Sequence, residues 1–158
     1  MDQPPISIVL KNLGIPHKVF RHATPVTSLE QAASERGQRP DQIVRSILFR
    51  VRDGEYAMVL MAGQAQISWK ILRKVMGRSR ISMATEDEVL SVTGYRVGTV
   101  GPFGMKQQVR VILDAGVMNE DVVSIGSGMR GHAIILKSSD LMKALGKAEV
   151  FELSGHPT

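Results

Sequence analysis

Residues 43–61 constrain the fold of this chain more than any other stretch. Ile43 to Val51 and Tyr56 to Met61 are two runs rich in β-branched and other apolar residues. They are joined through Asp53-Gly54, a pair whose members both tolerate positive φ and which therefore favours a tight hairpin. Any fold available to this sequence must accommodate that hairpin. One residue in it is out of place. Arg45 interrupts an otherwise apolar run, and by alternation it shares a strand face with Ile43 and Ile47. A charged group is rarely buried without a partner, so Arg45 either faces solvent at an edge or projects into a polar pocket.

Around the hairpin, helical and extended signals alternate. Ile6, Val9, Leu10 and Leu13 recur at helical spacing and Gly14 provides a stop. Val19-Phe20-Arg21-His22 reads as a short strand. Thr27-Ser28-Leu29-Glu30 matches a capping box with Thr27 as the cap, opening a helix that ends at Gly37. Ser68 caps a helix running to Met76 before Gly77. Arg80 to Met83 suits a short strand, and Thr85-Glu86-Asp87-Glu88 is a second capping box. Val109 to Leu113, Val122 to Ile125 and His132 to Lys137 read as strands, Ser139 as the cap of a helix to Leu145, and Glu149 to Leu153 as a final strand. About seven strands interleaved with four or five helices predict an α+β fold. The expectation is a single domain over 1–158, with a curved mixed sheet flanked by helices.

Composition removes several function classes. There is no cysteine, which excludes a disulfide framework, a thiol nucleophile and a zinc-thiolate site. No run approaches the roughly 18 apolar residues of a membrane helix. The start of the chain carries no basic leader followed by an apolar core, so the expectation is a cytoplasmic protein with no membrane partner. His17 and His22 lack a third ligand of suitable type, so no metal site is expected. No Gly-x-Ser-x-Gly elbow supports serine-hydrolase chemistry. The net charge of +5 and a pI near 9.8 fit either a polyanionic partner or simple solubility. With one Trp, two Tyr and four Phe, the chain has little material for a base-stacking platform.

Four groupings are candidates for function. The loop from Gly94 to Gly104 contains Gly94, Gly98, Gly101, Pro102 and Gly104, a density incompatible with regular structure. It serves either as a tight connection or as a backbone cradle for an oxyanion or ribose. A second glycine-rich turn, Gly126-Ser127-Gly128-Met129-Arg130-Gly131, leads into His132, which is either structural or faces a pocket. Arg45 is the third candidate. The fourth is the set Lys70, Arg73 and Lys74, a basic helix face suited to a phosphate backbone or to solvent.

Phe20-Arg21-His22, Arg45-Ser46-Ile47-Leu48-Phe49, Thr93-Gly94-Tyr95-Arg96-Val97-Gly98, Gly101-Pro102-Phe103-Gly104 and Ser127-Gly128-Met129-Arg130-Gly131 follow one another as they do in the YbaK family. This family is related to the insertion domain of bacterial prolyl-tRNA synthetases, and the resemblance runs from about Ile6 to Leu145. It implies a free-standing aminoacyl-tRNA deacylase that removes a small, mischarged amino acid, such as Ala or Cys, from the 3′ end of proline tRNA. No cofactor is implied; mischarged tRNA is the partner, with prolyl-tRNA synthetase as a further candidate. Carried over by position, Arg45 stands where the family has a central lysine. Gly101 lies in the pocket-lining loop, and His132 ends a Gly-x-x-x-His stretch. Phe20, His22, Ser46, Pro102, Phe103, Gly128, Gly131 and Ala133 fall at substrate-binding positions. The expected mechanism relies on placement and electrostatics: amides near Gly101 hold the oxyanion, Arg45 clamps the terminal phosphate or ribose, and His132 orients water. Two features depart from the family. An arginine replaces the lysine and cannot serve as a base, and Ala133 stands where cysteinyl-specific members tend to have Asp. A non-catalytic member that only grips the acceptor end is the alternative, as is an RNA- or protein-binding module using Lys70 to Lys74.

Overall fold

A computed structural model describes residues 3–154. The hairpin forms as its sequence requires: β2 (Val44–Arg52) and β3 (Glu55–Ala62) pair antiparallel, with Val44 opposite Ala62 and Phe49 opposite Ala57. Gly54 takes a φ of 77° in the turn, a conformation that favours glycine. β3 then pairs in parallel with β5 (Arg110–Asp114), and β5 in parallel with β8 (Glu149–Phe151). The short β4 (Ser82–Met83) adds to the other side of β2, but only at Phe49 and Arg50. This five-stranded mixed sheet has the order β4-β2-β3-β5-β8.

β1 (Lys18–Arg21), β7 (His132–Lys137) and β6 (Val122–Gly126) form a second, antiparallel sheet. The α+β fold is therefore as expected from sequence, while the strands among the described residues number eight and divide between two sheets. The sheets meet at a parallel bridge between Ile43 and Ser124.

The helices cover the apolar faces. Ile6 and Leu10 of α1 (Pro5–Asn12), Val89 and Val92 of α4 (Glu86–Thr93) and Leu141 of α5 (Ser138–Leu145) join the main core with Leu48, Leu60, Leu113 and Ile125. Leu72 of α3 (Trp69–Met76) belongs to a second cluster on the opposite face of β2 and β3, with Phe49, Val59 and Met61. There the Phe49 and Trp69 rings pack edge to face, 5.3 Å apart. Ala32 and Ala33 of α2 (Leu29–Arg36) pack on Ile43.

Two caps differ from the sequence reading. Ser28, one residue later than expected, caps α2 by accepting from the Gln31 amide, while the Thr27 hydroxyl donates to the Gln31 side chain. Glu30 reaches away to Gln64 instead. α5 starts at Ser138 after Lys137 with no side-chain cap, so Ser139 lies inside the helix. Ser68 and the Thr85–Glu88 box cap α3 and α4 as read.

Candidate active site

The site arises because β2 lacks a continuous partner on one edge. β6 touches that edge at Ile43 and β4 at Phe49 and Arg50; between them the edge is open. The Ile43 carbonyl accepts from the Gly63 amide on the β3 side, whereas the Leu48 carbonyl accepts from Ala84 on the other. Antiparallel alternation therefore turns the peptide N–H and C=O of Ser46 out of the sheet at the gap.

A cavity of about 460 Å³ occupies this gap. Its floor is apolar, contributed by Val44 and Leu48 of β2, Val89 of α4 and Ile125 of β6. One wall comes from Val97, Gly98 and Val100 of the first glycine loop and Gly126 of the second, joined by Arg36, Glu86 and His132. The peptide N–H groups of Gly98 and Val100 meet no acceptor among the described residues. A side chain on Gly126 would run into the carbonyl of Val100, which is why the two loops can close on one another only with glycine there. The hydroxyl of Ser46 is buried at this cavity without a hydrogen-bond partner.

A second, larger cavity of about 670 Å³ lies alongside. Arg36, Val97, Gly98 and His132 line both. His132 begins β7, and its Nδ1 lies 2.8 Å from the Arg130 carbonyl. That carbonyl can only accept, so Nδ1 carries the hydrogen and Nε2 keeps its lone pair.

Arg36, unremarked in the sequence, is the arginine this arrangement places centrally. It closes the last turn of α2, is half-buried, and belongs to a chain of hydrogen bonds that runs from the end of β1 to β6 of the three-stranded sheet. Its Nε donates to His22 Nε2 at 3.0 Å and its Nη1 to the Ser124 hydroxyl at 2.9 Å. Because Arg36 only donates, His22 Nε2 must accept, and His22 Nδ1 donates to Glu35 at 2.6 Å. This bond, with a second from Gln31, holds the Glu35 carboxyl below its ordinary pKa, and burial pushes the Arg36 guanidinium below its own. Among the described residues no carboxylate comes within ion-pair distance of Arg36. Its only side-chain neighbours by hydrogen bond, His22 and Ser124, lie in other strands or beyond, so no local sequence pattern marks it.

The residues proposed from sequence separate into three groups. His22, Ser46, Gly131 and His132 line one or both cavities. Arg45 lines the smaller cavity; its Nη2 donates to the Ala65 carbonyl, while its Nε is buried without a hydrogen-bond partner among the described residues. It shares a strand face with Ile47 and Phe49, the face covered by α3, and Ser46 occupies the face of Val44 and Leu48. Burial lowers its pKa too. Arg45 therefore lines the cavity that Gly98, Val100 and Gly126 of the two loops also line, with one guanidinium nitrogen engaged by Ala65.

Gly101 lines neither cavity. It is buried beneath the wall, where a side chain would strike Ile6 and the Gly126 carbonyl. The amides at the wall are those of its neighbours. Pro102 and Phe103 line a separate hollow beside Ala144 and Leu145 of α5, and the Phe103 carbonyl accepts from the Tyr95 hydroxyl at 2.7 Å. Gly128 packs on the Tyr95 ring and Pro5. Phe20 and Ala133 face each other across β1 and β7, with the Phe20 ring 4.9 Å from that of His22. These five shape the surroundings of the site. Lys70, Arg73 and Lys74 lie on α3 and line neither cavity.

Among the described residues no group of three or more acidic or histidine side chains is placed to hold a metal ion. Nor is any helix long and apolar enough to cross a membrane.

Comparison with known proteins agrees with this geometry. Residues 23–144 match the model of the aminoacyl-tRNA editing domain. A proline–tRNA ligase of Staphylococcus aureus is 30% identical over 110 residues, 70% of this chain; the match spans 19% of the ligase. A solved structure of a protein provisionally assigned as a trans-editing enzyme for prolyl-tRNA synthetase superposes with a TM-score of 0.87. It is 24% identical, with 96% of this chain and 95% of that one covered. A hypothetical protein of solved structure gives a TM-score of 0.86 at 21% identity, covering 95% of this chain and 99% of that one. With the family's model matched across both cavities and the loops that wall them, this chain belongs to the aminoacyl-tRNA editing domain family.

Proposed function

We propose that this protein hydrolyses the ester joining a small, wrongly attached amino acid to the 3′ end of a tRNA, with proline tRNA the foremost candidate. One observation carries the reading: a smaller, largely apolar cavity and a larger, more polar one share Arg36, Val97, Gly98 and His132, where the Gly98 amide and His132 Nε2 have no hydrogen-bond partner among the described residues. In this reading the amino-acid side chain enters the cavity floored by Val44, Leu48 and Val89, and the terminal adenosine occupies its neighbour. The ester then lies at Gly98 and His132.

An aminoacyl ester is already activated, so positioning and electrostatic stabilisation suffice for much of the rate. The free N–H groups of Gly98 and Val100 stabilise charge developing on the carbonyl oxygen. The lone pair on His132 Nε2 takes a proton from the attacking water, a role worth about 10²- to 10⁴-fold. The hydroxyl of Ser46, which has no hydrogen-bond partner among the described residues, completes its hydrogen bonding on the substrate. Arg45 positions the edge of β2 through Ala65 and transfers no proton.

The decisive measurement is release of amino acid from alanyl-, cysteinyl- and seryl-tRNA by wild type, His132→Ala and Arg45→Lys. The expected result is hydrolysis of at least one of the three, lowered about 100-fold or more in His132→Ala. Release no faster than the uncatalysed rate with all three would remove the enzyme reading. The commitment of Arg45 to Ala65 gives a second reading some support: a member that binds the acceptor end or a synthetase without turnover. Tight binding by wild type without turnover, with activity appearing in Arg45→Lys, would select it.

A further inference from the structure

The larger cavity has a character the smaller one lacks. Three arginines line it: Arg36 in its inner wall, Arg21 at the end of β1, and Arg130 in the second glycine loop. None of its lining residues is acidic. Glu35, the nearest carboxylate in the network, is turned to the far side of His22 and is occupied by that bond and by one from Gln31. Neither Arg21 nor Arg130 has an ion-pair partner among the described residues.

The framework around these arginines is rigid. Arg21 lies opposite His132 in the β1–β7 register, and the next amide, that of His22, bonds the Gly131 carbonyl at 2.7 Å. Arg36 is held at Nε by His22 and at Nη1 by Ser124, which leaves Nη2 without a hydrogen-bond partner among the described residues. A guanidinium held at Nε and Nη1 and open at Nη2 is preorganised to donate to an anionic oxygen such as that of a phosphate. The cost of ordering its side chain has already been met by the fold.

We infer that this cavity is a nucleotide subsite in which Arg36, with Arg21 and Arg130 at its mouth, grips the phosphodiester on the 5′ side of the terminal adenosine. The inference rests on the proposed reading for the identity of the nucleotide, but its chemistry, recognition of one phosphate beside one base, can be tested without turnover. His22 acts here as a positioning residue: it orients Arg36 and does not touch the ligand.

The test is calorimetric titration of the full chain with cytidylyl-(3′→5′)-adenosine and, separately, with adenosine. Wild type is expected to bind the dinucleotide at least about tenfold more tightly, the difference made by one charge-assisted contact. Arg36→Gln should abolish that preference, and Arg36→Lys should keep part of it. The double variant Arg21→Gln/Arg130→Gln changes only exposed positions. It provides a check free of the folding risk at Arg36 and should reduce the preference several-fold. Equal affinity for the two ligands in wild type, or a preference that survives both Arg36→Gln and the double variant, overturns the inference. Deacylation measured on the same proteins separates the two ideas. Turnover without a phosphate preference removes only the subsite, and a phosphate preference without turnover removes only the hydrolase.

Discussion

The hydroxyl of Ser46 lies at the open edge of β2, buried and without a partner. An unpaired buried hydroxyl costs about 1–3 kcal/mol, and such a cost in a cavity wall is what a ligand-binding position would carry. Replacing it by alanine should therefore separate stability from activity. Ser46→Ala is expected to raise unfolding stability by about 1 kcal/mol in urea denaturation while lowering kcat/KM roughly tenfold, the worth of one hydrogen bond. A variant that loses both, or neither, would assign the hydroxyl to packing alone. This residue and His132 were visible in the sequence as positions in a motif. Arg36 was not, because the contacts that give it meaning, His22 and Ser124, lie 14 and 88 positions away in the chain. Arg45 was visible for the right reason, a charge in an apolar run, yet which way its side chain turns depends on the Ala65 carbonyl in the connection between β3 and α3.

Elements were legible wherever their signals were local. Asp53-Gly54 specified the hairpin turn, Ser68 the start of α3, and Thr85 with Glu88 the start of α4, because each acts within four residues. The division into two sheets was not legible, since it depends on where β6 and β4 meet the edge of β2. At α4 the cap extends into tertiary structure. Glu88 accepts from the Thr85 amide at 2.9 Å, from the Tyr56 hydroxyl at 2.6 Å, and from Arg50. Led by the Thr85 amide and then Tyr56, these bonds pull its pKa from 4.5 to about 2. A folded-state value below the unfolded one means that ionised Glu88 supports the fold at pH above 4.5, and that this support is lost as pH falls from 4.5 towards 2. Glu88→Gln retains the capping geometry without the charge. It should melt below wild type at pH 7, and the gap should narrow in melts recorded at successively lower pH through that window. A gap that stays constant with pH would show that geometry, not charge, carries the contribution.

Over the whole molecule, two groups of cationic side chains lie where they could meet a polyanion. Arg21, Arg36 and Arg130 surround the larger cavity. Lys70 and Lys74, one turn apart and exposed on α3, lie on a helix that covers the other face of β2 and β3. If the acceptor end occupies the cavities, a second contact at α3 would fall on the body of the tRNA. Each phosphate neutralised adds about 0.7 to the slope of log affinity against log salt. Lys70→Gln/Lys74→Gln should thus flatten that slope by about 1.4 for full-length tRNA, measured by filter binding, and leave the binding of cytidylyl-adenosine unchanged. An unaltered slope would return α3 to solvent.

The wall and the floor of the smaller cavity come from different kinds of atom. The wall includes the main chain of Gly98 and Gly126, brought close by a glycine that no other residue can replace without striking Val100; the floor is the side chains of Val44, Leu48 and Val89. Substitutions on the floor alter how large a guest is admitted and leave the donors where they stand. Machinery and selectivity can thus drift apart over evolutionary time, one scaffold being retuned from one acyl group to another by exchanging a few methyl groups.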